Sequence, residues 1–321
     1  IHIGMDEAHN LGRGKYLDQN GYRSRFDIMN RHVKRVTEIC LKYGFTPMMW
    51  SDMYFGRILN NSYKDLEIHR DMKLVYWDYF SLEESHYTKY IKLHQKLEND
   101  IFFAAGARKW MGFTPDNAFT IAHIKATMKA CKKTGVEEYY LTGWGDNGGE
   151  ASQFSILPSL FYAGRCKYNE YNIGRNAKAS FLLLAGISFD KFMKIDLANR
   201  IGNKVEETNT ANKYLMFNDV LLGTLDTLID VKQKQMYVEH TKELRRLIKN
   251  NKWSYLFMTQ YKICELLSYK ATLGIELRKN YKEHNLTELN NNLSSLKKCV
   301  KLFDELLRVF SIQWNNENRP N

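Results

Sequence analysis

The chain has 321 residues, of which 44% are hydrophobic and 26% are charged, so it is long enough to build two structural units around sizeable cores. The formal net charge is +11, with 22 Lys and Arg against 19 Asp and Glu in residues 1–165 and 25 against 17 in residues 166–321. Because the excess lies where helical patterns dominate and no dense basic tract occurs, we expect no nucleic-acid partner, and no apolar run approaches the ~18 residues of a membrane span.

The cysteines bear on the redox environment of the protein. Their number is odd, they are widely spaced, and no two form a CxxC pair. This usage argues against a disulfide framework and against a zinc site, and it predicts a reducing, cytoplasmic location. The five are Cys40, Cys131, Cys166, Cys264 and Cys299.

The first half of the chain alternates short apolar runs with longer amphipathic stretches. We predict a strand at each apolar run: Ile1–Met5, Thr46–Trp50, Leu74–Trp77, Ile101–Ala105 and Tyr139–Gly143. Helical spacing marks Ser24–Tyr43 and Ala118–Thr134, and Gly44 and Gly135 stand where left-handed caps would end these helices. Alternating strands and helices predict a parallel sheet that is covered on its faces.

Nearly every predicted strand ends in a cluster of polar and aromatic residues. The clusters are Asp6-Glu7, Trp50-Ser51-Asp52, Trp77-Asp78-Tyr79, Arg108-Lys109-Trp110 and Trp144-Gly145-Asp146. Chemistry at the carboxyl ends of parallel strands is typical of a (β/α)8 barrel. We therefore predict an α/β fold in which the five units are about strands 4–8 of a TIM barrel, with the first three strands upstream of residue 1.

Beyond about residue 170 the strand signal gives way to helical patterns. We predict a partial TIM-barrel domain over residues 1–168 and an α-helical domain over 169–321, with helices at 212–230, 237–249 and 253–280. A last helix, capped by Thr287, carries an apolar stripe with spacings of four and three, which favours a helical-bundle seam over a partner-binding surface. The stripe consists of Leu289, Leu293, Leu296, Val300, Phe303, Leu307 and Phe310.

The adjacent carboxylates Asp6 and Glu7 are the first candidates for chemistry. Where a strand ends the backbone turns, so two neighbouring side chains can converge on one ligand from different directions. A carboxylic acid beside an apolar wall keeps its proton near neutrality while a hydrogen-bonded neighbour stays ionised, which suits glycoside cleavage. A metal site with His2 and His9 is the weaker alternative because the histidines lack helical HxxxH spacing. We expect neither a metal nor an organic cofactor.

Four of the six tryptophans lie at the ends of four successive predicted strands. They are Trp50, Trp77, Trp110 and Trp144. Parallel strands would bring these indoles to one edge of the sheet. Sugar rings stack their apolar C–H faces on indole, and their hydroxyls bind carboxylates such as Asp78 or Asp146. The arrangement predicts a carbohydrate site.

The segments IHIGMDEAHNLGRGKY, PMMWSDMYFG, LVYWDYF and GWGDNGGEAS together resemble glycoside hydrolase family 20. The resemblance is strongest to the intracellular bacterial branch of β-N-acetylhexosaminidases, which carry a helical domain after the barrel. It implies that the chain is an internal fragment of such an enzyme, inactive in isolation. The expected substrates are glycans ending in N-acetylhexosamine.

The resemblance also implies roles for individual residues. Family members use substrate-assisted retention, in which the 2-acetamido oxygen attacks the anomeric carbon and forms an oxazolinium ion. By motif position Glu7 would be the general acid and then the base, and Asp6 would orient the acetamido group. Tyr79 would bind the acetamido oxygen, with Tyr76 as the alternative. The pocket walls would be Trp50, Trp77 and Trp144.

Two motifs depart from the family pattern. Trp144-Gly145-Asp146 stands where many members have Trp-Gly-Glu, and Arg108-Lys109-Trp110 stands where many have Tyr-x-Asp. Two other functions stay open. One is a non-catalytic glycan-binding or interaction protein derived from the same barrel. The other is a glycosidase whose ordinary nucleophile is Asp78, Asp146 or Glu150. A homodimer through the helical half is also open.

Overall fold

The computed structural model describes residues 1–200, 211–249 and 251–319. The chain forms two compact units. The first comprises Ile1–Gly106 and Ala122–Thr142, and the second comprises Ala107–Ile121 and Gly143–Asn321. The division into domains at residues 168 and 169 stays a prediction.

The described residues contain short strands and many helices. The strands are β1 (Met48–Trp50), β2 (Lys73–Trp77), β3 (Ile101–Gly106) and β4 (Tyr139–Thr142). The helices are α1 (Lys15–Asn20), α2 (Arg25–Lys42), α3 (Asp52–Leu59), α4 (Glu84–Gln95), α5 (Asn117–Thr134), α6 (Leu157–Cys166), α7 (Arg175–Ala185), α8 (Phe189–Phe192), α9 (Ala211–Phe217), α10 (Gln233–Arg245), α11 (Ser254–Lys270), α12 (Leu273–Lys282) and α13 (Leu286–Glu317). Short 3-10 turns cover Tyr63–Asp65, Asp146–Gly148, Gln153–Ile156, Met193–Asn199 and Asp226–Leu228.

The four strands form one parallel sheet in the order β1-β2-β3-β4. Consecutive parallel strands need a crossover, and α3, α4 and α5 supply one between each successive pair of strands. Trp50 lies beside Val75, and Trp77 lies beside Ala104. This mixed α/β arrangement fits part of a barrel followed by helices, while the numbering of the strands as 4–8 stays a prediction.

The strand prediction for Ile1–Met5 is wrong in extent. Among the described residues this run makes one isolated parallel bridge, between His2 and Met48, supported by the Ile3 N–H to the Met48 carbonyl at 2.8 Å. The extended conformation then ends because Gly4 and Met5 have φ of 74° and 79°. The Trp50 N–H still reaches the Gly4 carbonyl at 3.0 Å, so the run stays tied to the edge of the sheet.

The two faces of the sheet bury different side chains, as the period of two along a strand requires. One face packs Leu74, Tyr76 and Phe103 against apolar residues of α2, α3, α4 and α5. The opposite face buries Val75, Phe102 and Ala104, with Met48, Trp50 and Trp77 packed against them. The two indoles therefore share the face opposite the helices.

The second unit has its own core, made largely by α7 to α13. Helix α11 lies at its centre, with Phe257, Ile263 and Leu267 fully buried. In the same unit Asp196 holds the start of α5, because its Oδ2 accepts the Ala118 N–H at 2.9 Å. Burial, together with the nearby carboxylate of Asp116, raises the pKa of Asp196.

Several helix predictions in this unit are wrong in their limits. The helix predicted over 212–230 ends at Phe217, because Asn218 uses its side chain to bond the Leu225 N–H and Asp226 at 3.0 Å each, which fixes a turn. The helix predicted over 237–249 is α10, which begins earlier, at Gln233, and ends at Arg245. The helix predicted over 253–280 is two helices, α11 and α12, and the hydroxyl of Thr272 donates to Glu276 at 2.6 Å where α12 begins.

The last helix differs from its prediction in both cap and packing. Asn285, and not Thr287, is the N-cap, and its Oδ1 accepts the Glu288 N–H at 3.1 Å. The predicted seam is largely exposed: Leu293, Val300 and Leu307 are 49%, 64% and 64% accessible. The buried column lies one residue earlier and consists of Asn292, Cys299, Leu306 and Gln313. A pattern of apolar residues cannot reveal a buried column that begins and ends with amides. The exposed column of α13 consists of Leu286, Leu293, Val300, Leu307 and Trp314.

Two further observations concern the chain as described. All five cysteines are free and buried. Within the described ranges, no helix combines the length and the apolar character needed to cross a membrane.

Candidate active site

The backbone of the Gly4-Met5-Asp6-Glu7 segment is strained. Met5 and Glu7 have φ of 79° and 46°, in the left-handed region that residues with side chains rarely adopt. Each such residue costs about 1–3 kcal/mol and persists only where surrounding contacts hold it. The two left-handed residues flank Asp6, so the backbone holds the carboxylate pair in a conformation that needs support from neighbouring contacts.

Asp52 supplies the contact that holds this segment. Its Oδ2 accepts the backbone N–H of Glu7 at 2.9 Å, and its Oδ1 accepts the indole Nε1–H of Trp77 at 3.3 Å. Asp52 is the first residue of α3 and follows β1 by two positions. One carboxylate therefore ties the strained segment to a strand-end tryptophan. The sequence places Asp52 in a cluster at the end of a predicted strand, which marks it as a candidate site residue. The sequence analysis did not predict that Asp52 connects Glu7 to Trp77.

The carboxylates of Asp6 and Glu7 are exposed, so both are accessible to a ligand. Beside them, the ring of His2 accepts the Gly4 N–H on Nδ1 at 3.1 Å and lies 4.7 Å from the ring of Trp50. Burial lowers the pKa of His2, against the opposing effect of the Asp6 charge. The lowered pKa favours the neutral ring, which is the form whose Nδ1 can accept the Gly4 N–H.

Trp77 and Tyr79 form an aromatic pair where β2 ends. Their rings stack at 5.2 Å between centroids with an angle of 28° between planes. Tyr79 is buried and Trp77 half-buried, whereas the next aromatic residue, Phe80, is exposed. An indole face that is supported from one side by a tyrosine is a rigid platform on which an apolar sugar face can stack.

Asp78 is used as an internal anchor. Its Oδ2 accepts the Tyr76 hydroxyl at 3.0 Å and lies 2.7 Å from His86 Nε2, while its Oδ1 accepts the Phe80 N–H at 3.2 Å. Burial, followed by the Asp78 charge, raises the pKa of Tyr76. Tyr76 faces the helix-covered side of the sheet, away from Trp77. The sequence analysis did not identify His86, because the position of a histidine in a helix does not show which distant residue it contacts.

A buried histidine supports the turn between β1 and α3. His94 Nε2 lies 3.0 Å from the hydroxyl of Ser51, its Nδ1 lies 2.8 Å from the Tyr90 carbonyl, and its ring stacks on Tyr76 at 4.5 Å. Burial lowers the pKa of His94 to about 4. The neutral ring therefore fixes Ser51, the residue directly before Asp52.

The other predicted sugar contacts belong to the second unit. There Trp110 is buried and Trp144 is exposed. The backbone carbonyl of Trp144 accepts a hydrogen bond from the Lys109 ammonium at 3.3 Å. Burial lowers the pKa of Lys109, while Glu317, Asp146 and Glu150 act in the opposite direction. Asp146 is exposed in a short turn. Glu150 accepts from Lys213 at 2.5 Å.

A metal site was the alternative use of the residues around Asp6 and Glu7. Across residues 1–200, 211–249 and 251–319, no group of three or more His, Cys, Asp or Glu side chains has the geometry of a metal site. His2, Asp6, Glu7 and His9 are therefore not assembled as a ligand set in this part of the chain.

Comparison with known proteins adds a family relationship. Residues 189–321 match the family model described as the Glycoside Hydrolase 20C C-terminal domain. Among solved structures, the chain is similar to a GH138 enzyme targeting pectin rhamnogalacturonan II, with 10% identity and a TM-score of 0.45 over 88% of this chain and 42% of that one. The chain thus spans less than half the length of that enzyme. No curated protein matches.

The family match concerns the C-terminal part of the chain. A mixed α/β unit with carboxylates and indoles at strand ends is followed along the chain by a segment that matches a glycoside hydrolase 20C domain. Residues 189–321 are therefore related to the C-terminal domain of glycoside hydrolase 20C.

Proposed function

We propose that this protein is an exo-β-N-acetylhexosaminidase that removes terminal GlcNAc or GalNAc by substrate-assisted retaining catalysis. Glu7 protonates the leaving-group oxygen and then, as a base, activates water. Asp6 accepts the N–H of the 2-acetamido group, so that the acetamido oxygen is aimed at the anomeric carbon and the developing positive charge is stabilised. The reaction needs neither a metal nor an organic cofactor.

One observation carries this proposal: the strained Met5-Asp6-Glu7 segment is tied by Asp52 to the indole of Trp77. Strain that is retained next to two exposed carboxylates indicates a geometry selected for function. Trp77 and Tyr79 then supply a stacking surface and a phenol for the acetamido group. Tyr76 is the poorer candidate for that contact, because it faces the helix-covered side of the sheet, opposite Trp77.

A glycosidase with an ordinary nucleophile is less well supported. In that mechanism a second carboxylate would attack the anomeric carbon directly. Of its candidates, Asp78 accepts bonds on both oxygens, and Glu150 is paired with Lys213. Asp146 remains as the exposed carboxylate among the three, and it belongs to the second unit.

The remaining features of the proposal come from the resemblance and the composition. Sugar contacts by Trp50, Trp110, Trp144 and Asp146 stay predictions. Five free, buried cysteines support a reducing compartment, for which we propose the cytoplasm. A homodimer through the exposed column of α13 is also proposed, because its apolar residues recur every seven positions.

The test is hydrolysis of 4-methylumbelliferyl N-acetyl-β-D-glucosaminide by the complete gene product. Loss of the general acid in Glu7→Gln should lower kcat/KM by about 10²–10⁴-fold, whereas exposed Glu67→Gln should leave it unchanged. Substrate assistance further requires inhibition by a thiazoline analogue of the oxazolinium ion and poor turnover of the matching glucoside. Full activity of Glu7→Gln would remove Glu7 from the mechanism, and sugar binding without any turnover would favour the glycan-binding alternative.

A further inference from the structure

A cavity of about 380 Å³ opens beside the proposed catalytic segment in the first unit. Its lining includes His9, two positions after Glu7, and Asp52, whose carboxylate holds the Glu7 backbone. The volume lies in the range of ligand pockets, about 300–1,000 Å³. The cavity therefore begins where the proposed catalytic acid is anchored.

The cavity wall carries more positive than negative charge. Arg25 and Arg57, both permanently cationic, contribute to the lining together with His9. Asp52 is the acidic residue of this lining, and its two oxygens already accept the Glu7 and Trp77 N–H groups. Arg57 also lies 3.9 Å from Asp65, an exposed contact that water screens. Arg25 and Arg57 are therefore the permanent cations of this lining that a second anion could pair with.

The guanidinium of Arg57 is held in place by an aromatic ring. It lies 4.3 Å from the centroid of Phe26, which also lines the cavity. Stacking occupies the face of the guanidinium and leaves its edge donors in the plane, the geometry that grips carboxylate or phosphate oxygens in pairs. Met29 and Met53 add apolar surface to the same wall. The combination suits a compact ring that carries one anionic group.

The placement of Arg25 supports a functional reading of this charge. Arg25 is the first residue of α2, where the positive end of the helix dipole disfavours a cation. Ser24, the N-cap, bonds the Phe26 N–H at 3.2 Å, so the helix start is fixed without a contribution from Arg25. Arg25 is exposed and lines the cavity, so its charge is available to a bound anion.

We propose that this cavity is a subsite for an acidic sugar on the leaving-group side of the scissile bond, with Arg25 and Arg57 binding its carboxylate or phosphate. This role rests on the proposed hydrolase function, because a leaving group exists only where Glu7 protonates the glycosidic oxygen. The preferred substrates are then β-N-acetylhexosaminides linked to an anionic sugar. Anion binding by the cavity itself is measurable without turnover.

The binding test uses glucuronate, glucose 6-phosphate and glucose with the complete protein, measured by calorimetry and ligand-observed NMR. At least one anionic sugar should bind about tenfold or more tightly than glucose, and the stronger of the two identifies the anionic group. Arg25→Gln and Arg57→Gln should each weaken that binding by about 10- to 100-fold, the effect of removing a charged hydrogen bond. Arg70→Gln, which removes an exposed charge that does not line the cavity, is the matched control.

A second variant guards against a folding defect in the arginine variants. A Cβ added at Gly56 meets no atom within 4 Å, so Gly56→Phe can enter the cavity while both arginines remain. It should abolish the preference for the anionic sugar with an unchanged Tm. Equal binding of all three sugars, or arginine variants that behave like Arg70→Gln, would overturn the subsite. If the wild-type protein binds the anionic sugar but does not turn over the neutral aryl substrate, the result would instead count against the proposed hydrolase function.

Discussion

Replacing Asp52 with Ala tests whether one carboxylate organises the site. The variant removes the acceptor of both the Glu7 N–H at 2.9 Å and the Trp77 Nε1–H at 3.3 Å. It also releases the left-handed conformation of Glu7, with φ of 46°. We expect the loss of activity to exceed what the loss of stability explains.

The stability cost follows from the two hydrogen bonds. A bond to a charged acceptor contributes about 1.5–3 kcal/mol, and the longer Trp77 bond stands at the low end. Water reaches this half-buried site, and relaxing the strain at Glu7 returns about 1–3 kcal/mol. The net destabilisation should therefore be only about 1–2 kcal/mol, because the relief of strain offsets much of the bond loss. Misplacing Glu7 by about 1 Å, in contrast, should lower kcat by about 10²-fold.

The measurements are urea unfolding and kcat on an aryl N-acetylglucosaminide. Asp52→Asn keeps an oxygen that can accept one of the two N–H groups, so it should retain intermediate activity. Asp100→Asn, at an exposed carboxylate 3.8 Å from Lys73, is the control for loss of a surface charge. The bridging role is refuted if Asp52→Ala keeps near-normal kcat. A loss of over ~3 kcal/mol in the free energy of unfolding with near-normal kcat would make Asp52 a purely structural residue.

Two further predictions concern stability and assembly. Burial lowers the pKa of His94 to about 4, against about 6.5 in the unfolded chain. The contribution of the neutral, buried ring to the free energy of unfolding is therefore fully present above pH ~6.5 and is lost as the pH falls towards 4. Between about pH 7.5 and 4.5, urea unfolding should show the wild type losing about 2–3 kcal/mol more than His94→Gln; equal losses would mean that His94 titrates normally in the fold. The proposed homodimer predicts that Leu293→Lys combined with Leu307→Lys gives a monomer with unchanged helicity, because both side chains are exposed. Sedimentation equilibrium decides this, and a monomeric wild type at tens of micromolar protein contradicts it.

The order of strands and helices in the first unit followed from sequence periodicity. Four of the five apolar runs are strands of one parallel sheet, and Gly44 and Gly135 have φ of 74° and 76° after helices α2 and α5. Trp77 and Tyr76 lie on opposite faces of the sheet, as the alternation of side chains along β2 requires. These features depend on local patterns, which the sequence contains in full.

What the sequence could not supply depends on contacts between distant residues. The left-handed Glu7 follows from a bond to Asp52, 45 positions away, and no property of a Met-Asp-Glu string reveals it. The same holds for His86, which reaches Asp78 from helix α4. On α13 the sequence contained two adjacent columns of period seven, and only packing decided that the column with Asn292 and Gln313 is buried.

Asp52 belongs to both the proposed catalytic centre and the basic cavity, and this shared position makes the two separable by experiment. Its carboxylate holds Glu7 and Trp77 while lining the space that contains Arg25 and Arg57. A change at Asp52 must therefore alter turnover and leaving-group preference together. Arg57 makes no hydrogen bond to the Glu7 segment in the described structure, so Arg57→Gln should change the preference for an anionic leaving group while kcat on a neutral aryl substrate is retained. A loss of both in Arg57→Gln would show that the cavity positions Glu7 and does not select the substrate.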